Sequence, residues 1–205
     1  MKRLAIETAT GACSVALFDG DRLAGHVHEL VGRGHAERLI PMLATLPERG
    51  RADRILVDCG PGSFTGVRVG LAAARALALA WGAEVVGYSS LSLIAATAFA
   101  RAPGTAELAV GIVGGHGEYF VQMFAGSPMR PIAPLASLPP GEAARRCGSL
   151  PIAGSGAPAL IAAGATGPAL DIAPDARDTA LLPPELASLS PVPIYGRAPD
   201  AKLPQ

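Results

Sequence analysis

One stretch constrains this chain more than any other: Cys59-Gly60-Pro61-Gly62-Ser63-Phe64-Thr65-Gly66-Val67-Arg68-Val69-Gly70, continuing into the Ala/Leu run that ends at Trp81. The apolar run 54–59 before it reads as a strand. Gly60 and Gly62 open backbone angles that a side chain forbids, and Pro61 stiffens the turn between them. The hydroxyls of Ser63 and Thr65 suit the cap of a following helix, and the Ala/Leu run predicts that helix strongly. The unit is a strand, a glycine-rich turn and a helix. Its spacing is neither Gly-x-Gly-x-x-Gly nor a P-loop ending in Gly-Lys-Ser/Thr, so by itself it is a tight connection and not a nucleotide fingerprint.

Between Gly66 and Gly82 only Arg68 and Arg75 are charged. A helix apolar nearly all round is expected to be buried on more than one side. One side covers its own sheet, and a partner protein is a candidate cover for the other. On a helical wheel Arg68, Ala72, Arg75, Ala76 and Leu79 share one side, with Gly66, Gly70, Ala73, Leu77 and Trp81 roughly opposite. The arginines mark the outward side, because an unpaired buried charge is costly. The small residues between them suit close helix packing.

Before this stretch, short apolar runs at 3–7, 12–18 and 23–30, joined by tight turns, predict three antiparallel strands. A helix follows at about 35–46, with Ala36, Leu39, Ile40 and Leu43 as its inward stripe. Arg38, Pro41 and Met42 then fall on its free face, and with the wheel residues they are the expected partner interface. After the long helix come a strand at 84–87 and a helix at 90–100. The order β-β-β-α-β-α-β-α is that of the actin, hexokinase and Hsp70 fold, an analogy of order. Arg101-Ala102-Pro103-Gly104-Thr105 breaks the pattern. The expectation is two actin-like repeats, 1–102 and a shortened 103–205. In the second, a hairpin (108–113 and 118–124) surrounds Gly114-Gly115-His116-Gly117. A strand near Ile132, a helix at 141–147 and a strand at 150–153 follow weakly, and the Pro/Gly-rich remainder reads as irregular.

Composition excludes several classes. A net charge of zero over 205 residues offers no electrostatic footprint for tight nucleic-acid binding. Cys13, Cys59 and Cys147 are scattered and odd in number, as expected of buried thiols in a reducing compartment. An acid at Glu7 comes too early for a signal peptide, and Arg68 and Arg75 interrupt the longest apolar run, so no membrane span is expected. The expected setting is cytoplasmic.

In the actin-like fold nucleotide sits between the repeats, with its phosphates on the first hairpin of each. Here those hairpins offer Thr8, Thr10, Gly11 and Ser14, then Gly114, Gly115 and Gly117. Active members place an acid beside each loop to hold metal. Glu7 stands beside the first loop, no acid leads the second, and Glu118 comes after the turn. The loops therefore read as degenerate, without cofactor. His26, His28, His35 and His116 have no Cys or acid cluster to complete a metal site. No His-Glu-x-x-His motif supports a peptidase.

The stretch Gly60–Gly70 closely resembles the hallmark of the TsaB family, proteins needed to make threonylcarbamoyladenosine in tRNA. Leu4-Ala5-Ile6-Glu7-Thr8-Ala9-Thr10 with Cys13-Ser14-Val15-Ala16-Leu17 resembles that family's opening. His35-Ala36-Glu37-Arg38-Leu39-Ile40-Pro41-Met42-Leu43 resembles its first helix, and Pro193-Ile194-Tyr195-Gly196-Arg197-Ala198-Pro199-Asp200-Ala201-Lys202 its tail. The likeness is dense over the first half and sparse over 126–191, and Glu7 departs from the family's usual Asp. The resemblance implies a non-catalytic scaffold that binds the catalytic sister protein TsaD, with the small ATPase TsaE joining the pair and tRNA met only through the complex. TsaD carries a His-x-x-x-His metal pair. The matching stretch here, Tyr88-Ser89-Ser90-Leu91-Ser92-Leu93-Ile94, has no imidazole. An exposed apolar helix face implies a homodimer when the chain is alone. The alternatives are a small-molecule kinase or ATPase of the same fold and a metallopeptidase.

Overall fold

The computed structural model describes residues 1–196. Residues 197–202 of the tail motif lie outside them. The chain opens with β1 (Lys2–Glu7), β2 (Ala12–Asp19) and β3 (Arg22–Leu30), then α1 (His35–Thr45), β4 (Arg54–Asp58), α2 (Phe64–Trp81), β5 (Glu84–Tyr88) and α3 (Ser90–Arg101). These strands make a five-stranded sheet in the order β3-β2-β1-β4-β5, antiparallel through the meander and parallel from β1 to β5. The second sheet takes β6 (Glu107–Val113), β7 (Tyr119–Gly126), β8 (Met129–Pro131), β9 (Ala136–Leu138), β10 (Ile152–Ala153) and β11 (Ala169–Leu170). α4 (Pro140–Cys147) and α5 (Ala157–Ala162) pack on it around Ala143, Cys147 and Leu160.

Both faces of the first sheet are apolar, for different covers. Leu4, Ile6, Val15, Ile55 and Val57 meet α1 and α2 on one side. Ala5, Ala16, Leu56, Val86 and Tyr88 meet α3 and the segment 176–187 on the other. α3 lies between the sheets: Leu93 and Ala96 face the first, Leu91, Ile94 and Ala98 the second. This is the actin-like fold, two α/β units against a shared helix.

Three expectations are corrected. On α1 the buried residues are His35, Leu39, Met42 and Leu43, while Ile40 is 54% exposed and Ala36 is also exposed. The inward stripe is therefore turned by about one residue, and Met42, at 2% exposure, belongs to the core and not to the free face. Met42 is long and unbranched and fills the gap under the helix, whereas β-branched Ile40 is left outside. Second, α2 spans 18 residues with a mean hydropathy of 1.2, long and apolar enough to cross a membrane despite its arginines. Here that apolar length serves a sheet: Val67, Gly70, Leu71, Ala74 and Ala78 are buried in the first core. Third, the strand expected near Ile132 is two short strands, β8 and β9, on either side of it.

Candidate functional site

β1, β4 and β5 run parallel and end together. The register that pairs Ile6 with Val57 and Asp58 with Tyr88 therefore puts Glu7, Asp58 and Tyr88 in a row across three strand ends. All three are fully buried. Asp58 accepts from Gly60 N at 2.6 Å and from the Ser90 hydroxyl at 2.7 Å. Glu7 accepts from Ala9 N at 2.9 Å and hydrogen-bonds the Asp58 carboxyl. The Tyr88 hydroxyl donates to the Ile6 carbonyl at 2.9 Å. Burial first, and then the Asp58 charge, holds Glu7 well above the usual carboxylate range.

The glycine-rich turn sits directly on this row. Gly60 has a φ of +94°, which favours glycine. A Cβ at Gly62 would run into the Ala9 carbonyl, and one at Gly66 into the Thr8 carbonyl. The gap is closed by hydrogen bonds: Ser63 N donates to Ala9 O at 2.6 Å and the Thr8 hydroxyl to Gly66 O at 2.8 Å. The Ser63 side chain caps α2 by accepting from Gly66 N. The first hairpin is thus bonded to the start of α2, and its remaining groups are engaged as well. Thr10 accepts from Ala12 N, and Gly11 O accepts from Val31 N and Gly32 N. Ser14 accepts from Ala176 N at 2.7 Å, so the segment after the second sheet covers this side of the hairpin. The second loop folds onto itself, with Gly114 N donating to Glu118 O and Glu118 N to Gly115 O.

The nucleotide and metal that the fold family implies do not fit here. The acid beside the first loop is sealed, with 0% exposure, and shares its hydrogen bonds with Asp58. Among the described residues no group of three His, Cys, Asp or Glu is arranged to hold a metal ion. His26 Nε2 lies 2.7 Å from Asp175 Oδ1, and His35 Nε2 lies 3.0 Å from the Ala12 carbonyl at the start of α1.

Apart from Met42, which is core, the expected interface residues fall on an exposed face. Arg68, Ala72, Arg75 and Ala76 are exposed, and Leu79 is 88% exposed. Arg38 and Pro41 are exposed on α1, with Arg38 gripping Glu29 by two hydrogen bonds. The arginines of α2 are held at its rim. Arg68 lies over the Phe64 ring, 3.1 Å from its centroid, and donates to the Tyr195 hydroxyl at 3.0 Å. Arg75 donates to the Pro191 carbonyl at 2.8 Å. Among the described residues nothing covers the apolar centre Ala72-Ala76-Leu79. Sequence reasoning missed Phe64 and Tyr195 at this face and Asp58, Tyr88 and Ser90 in the buried row. Asp58 ends an apolar run at the C-terminal end of a parallel strand, a position that signals a site in this class of sheet.

The fold and the first loop, bonded to its own chain, define a member of the actin-like superfamily. The family model for TsaD, tRNA N6-adenosine threonylcarbamoyltransferase, matches residues 20–128. The tRNA threonylcarbamoyladenosine biosynthesis protein TsaB of Escherichia coli is 38% identical over 114 residues, covering 53% of this chain and 49% of that protein. The protein of the same name from Haemophilus influenzae is 41% identical over 102 residues, covering 47% of this chain and 42% of its own length. The solved structure of YeaZ from Pseudomonas aeruginosa superposes with a TM-score of 0.78 at 29% identity, over 95% of this chain and 99% of that one. The chain belongs to the TsaB family. It spans about half the length of the curated relatives it matches.

Proposed function

We propose that the protein is a non-catalytic subunit in the biosynthesis of threonylcarbamoyladenosine in tRNA, and that it acts by binding TsaD through α1 and α2. The observation that carries this reading is the strip Ala72-Ala76-Leu79, exposed among the described residues, on a helix whose other face is core. Small residues let a second helix approach closely, and both flanking arginines are already held aside. Arg38 and Pro41 of α1 extend the strip, and Met42 does not. In this reading residues 1–102 carry the docking helices and residues 103–205 the shortened repeat. The isolated chain pairs with itself through the same face and exchanges that contact for TsaD. TsaE and tRNA are met through the complex, in the cytoplasm and away from membranes.

The sealed Glu7 carboxyl supports the absence of autonomous ATP turnover. Turnover on the order of 1 s⁻¹ by the isolated chain, lost in Glu7→Ala, would overturn the non-catalytic reading. The binding half is tested by sedimentation velocity of the chain alone and mixed with TsaD. A self-associating chain that shifts to a mixed species supports it. A monomer at every concentration that also ignores TsaD contradicts it.

A further inference from the structure

We propose that Glu7 and Asp58 form a one-proton latch that holds the glycine-rich turn and the start of α2 in place, and that losing this proton loosens the α2 docking face. The second half of this proposal rests on the docking reading above.

Glu7 and Asp58 are neighbours across the parallel ends of β1 and β4, and both are fully buried. Two carboxylates side by side in a sealed space cannot both stay ionised, so the pair keeps one proton in the hydrogen bond between them. The groups that face the pair are Tyr88 from β5, the neutral Ser90 hydroxyl from α3, and the backbone amides of Ala9 and Gly60. Beyond them lies the Cys59 thiol, pushed up to about 12 by its burial and by Asp58. Among the described residues no cation acts on Glu7, Asp58 or Tyr88; Arg75 acts on Cys59 instead. Neutral donors alone, among the described residues, face a second negative charge, and losing the proton sets two carboxylates against each other.

The strain would be felt at α2 because each carboxyl grips one side of its entry. Asp58 holds Gly60 N, the first residue of the turn. Glu7 holds Ala9 N, and the Ala9 carbonyl accepts from Ser63 N at the helix cap. Thr8, between them, donates to Gly66 O in the first turn of the helix.

The direction with pH follows from linkage. Burial raises Glu7 in the folded state above its unfolded value. Below the ordinary carboxylate range both states hold the proton and the latch contributes in full. As pH rises above that range the unfolded chain gives the proton up first, so stability falls until the folded-state value is passed and the latch opens. In Glu7→Gln an amide N–H replaces the shared proton toward Asp58 and cannot titrate.

Hydrogen exchange of the full chain tests the latch without any partner. Protection of residues 60–66 is followed from about pH 6 to about pH 9, corrected for the intrinsic rate and referenced to β6 and β7. In the wild type it should fall by about tenfold or more, and in Glu7→Gln it should stay level. A level wild type, or an equal fall in the variant, overturns the latch. Should Glu7→Gln not fold, carbon-13 carboxyl NMR of the wild type decides. One carboxyl still protonated well above the ordinary range supports the latch, and titration of every carboxyl within that range overturns it. TsaD affinity is measured over the same pH range. An affinity that weakens with pH only in the wild type supports the coupling. A latch that opens with affinity unchanged overturns the second half and leaves the first.

Discussion

Gly62 and Gly66 meet carbonyl oxygens of the first hairpin, while Gly60 supplies a left-handed φ. From the sequence, Gly60 and Gly62 alike read as freedom to turn. Only the Gly60 role is of that kind; what a glycine touches is set by a segment some fifty residues away and leaves no local mark. Gly66→Ala is therefore expected to cost more than about 2 kcal/mol in chemical denaturation, because the obstacle is backbone and cannot rotate aside. The thiols were legible in kind: Cys13, Cys59 and Cys147 are all buried and unpaired, and burial pushes Cys13 and Cys147 up to about 11. All three should resist a small thiol reagent at neutral pH and react together on unfolding. Reaction of any one in the folded protein would contradict this burial. Asp58 escaped notice because it closes an apolar run and its partners, Glu7 and Ser90, come from distant strand and helix ends.

At the scale of elements, the sequence pattern located α1, α2 and α3 but rotated one of them. α1 has apolar residues on most of its surface, so two stripes one residue apart both satisfy the pattern, and packing chooses between them. Met42→Ala should cost about 2–4 kcal/mol of unfolding free energy, whereas Ile40→Ser should change it by less than about 0.5 kcal/mol. The reverse order would restore the stripe read from spacing. α2 and α3 are both apolar nearly all round, for opposite reasons. α3 is covered on two sides by the two sheets, whereas the described residues cover α2 on one. Composition cannot separate these cases; only the position of each helix in the fold does. Leu79→Lys, at an exposed site, should leave thermal stability unchanged and weaken association. A loss of stability equal to the loss of association would mean that the strip belongs to the fold.

For the whole molecule, the order of strands and helices was legible and the place of the segment after the second sheet was not. The 3-10 turn at Ala176–Leu181 and the residues after it pack against the first sheet and α3. The Thr97 hydroxyl ties it to α3 through Asp178 at 2.9 Å, and His26 ties it to β3 through Asp175. This segment lacks helical or strand periodicity, so its sequence reads as irregular and its role appears only when both sheets are in place. The central claim is that the chain works by presenting the outer face of α2. Ala72→Glu tests it most directly: the variant and wild type are compared for thermal unfolding and for TsaD affinity by calorimetry. The account predicts an unchanged melting transition and the loss of association, since a carboxylate buried at the contact without a partner costs several kcal/mol, roughly a hundredfold or more in affinity. A variant that folds and binds TsaD as tightly as the wild type, or one that no longer folds at all, would contradict it.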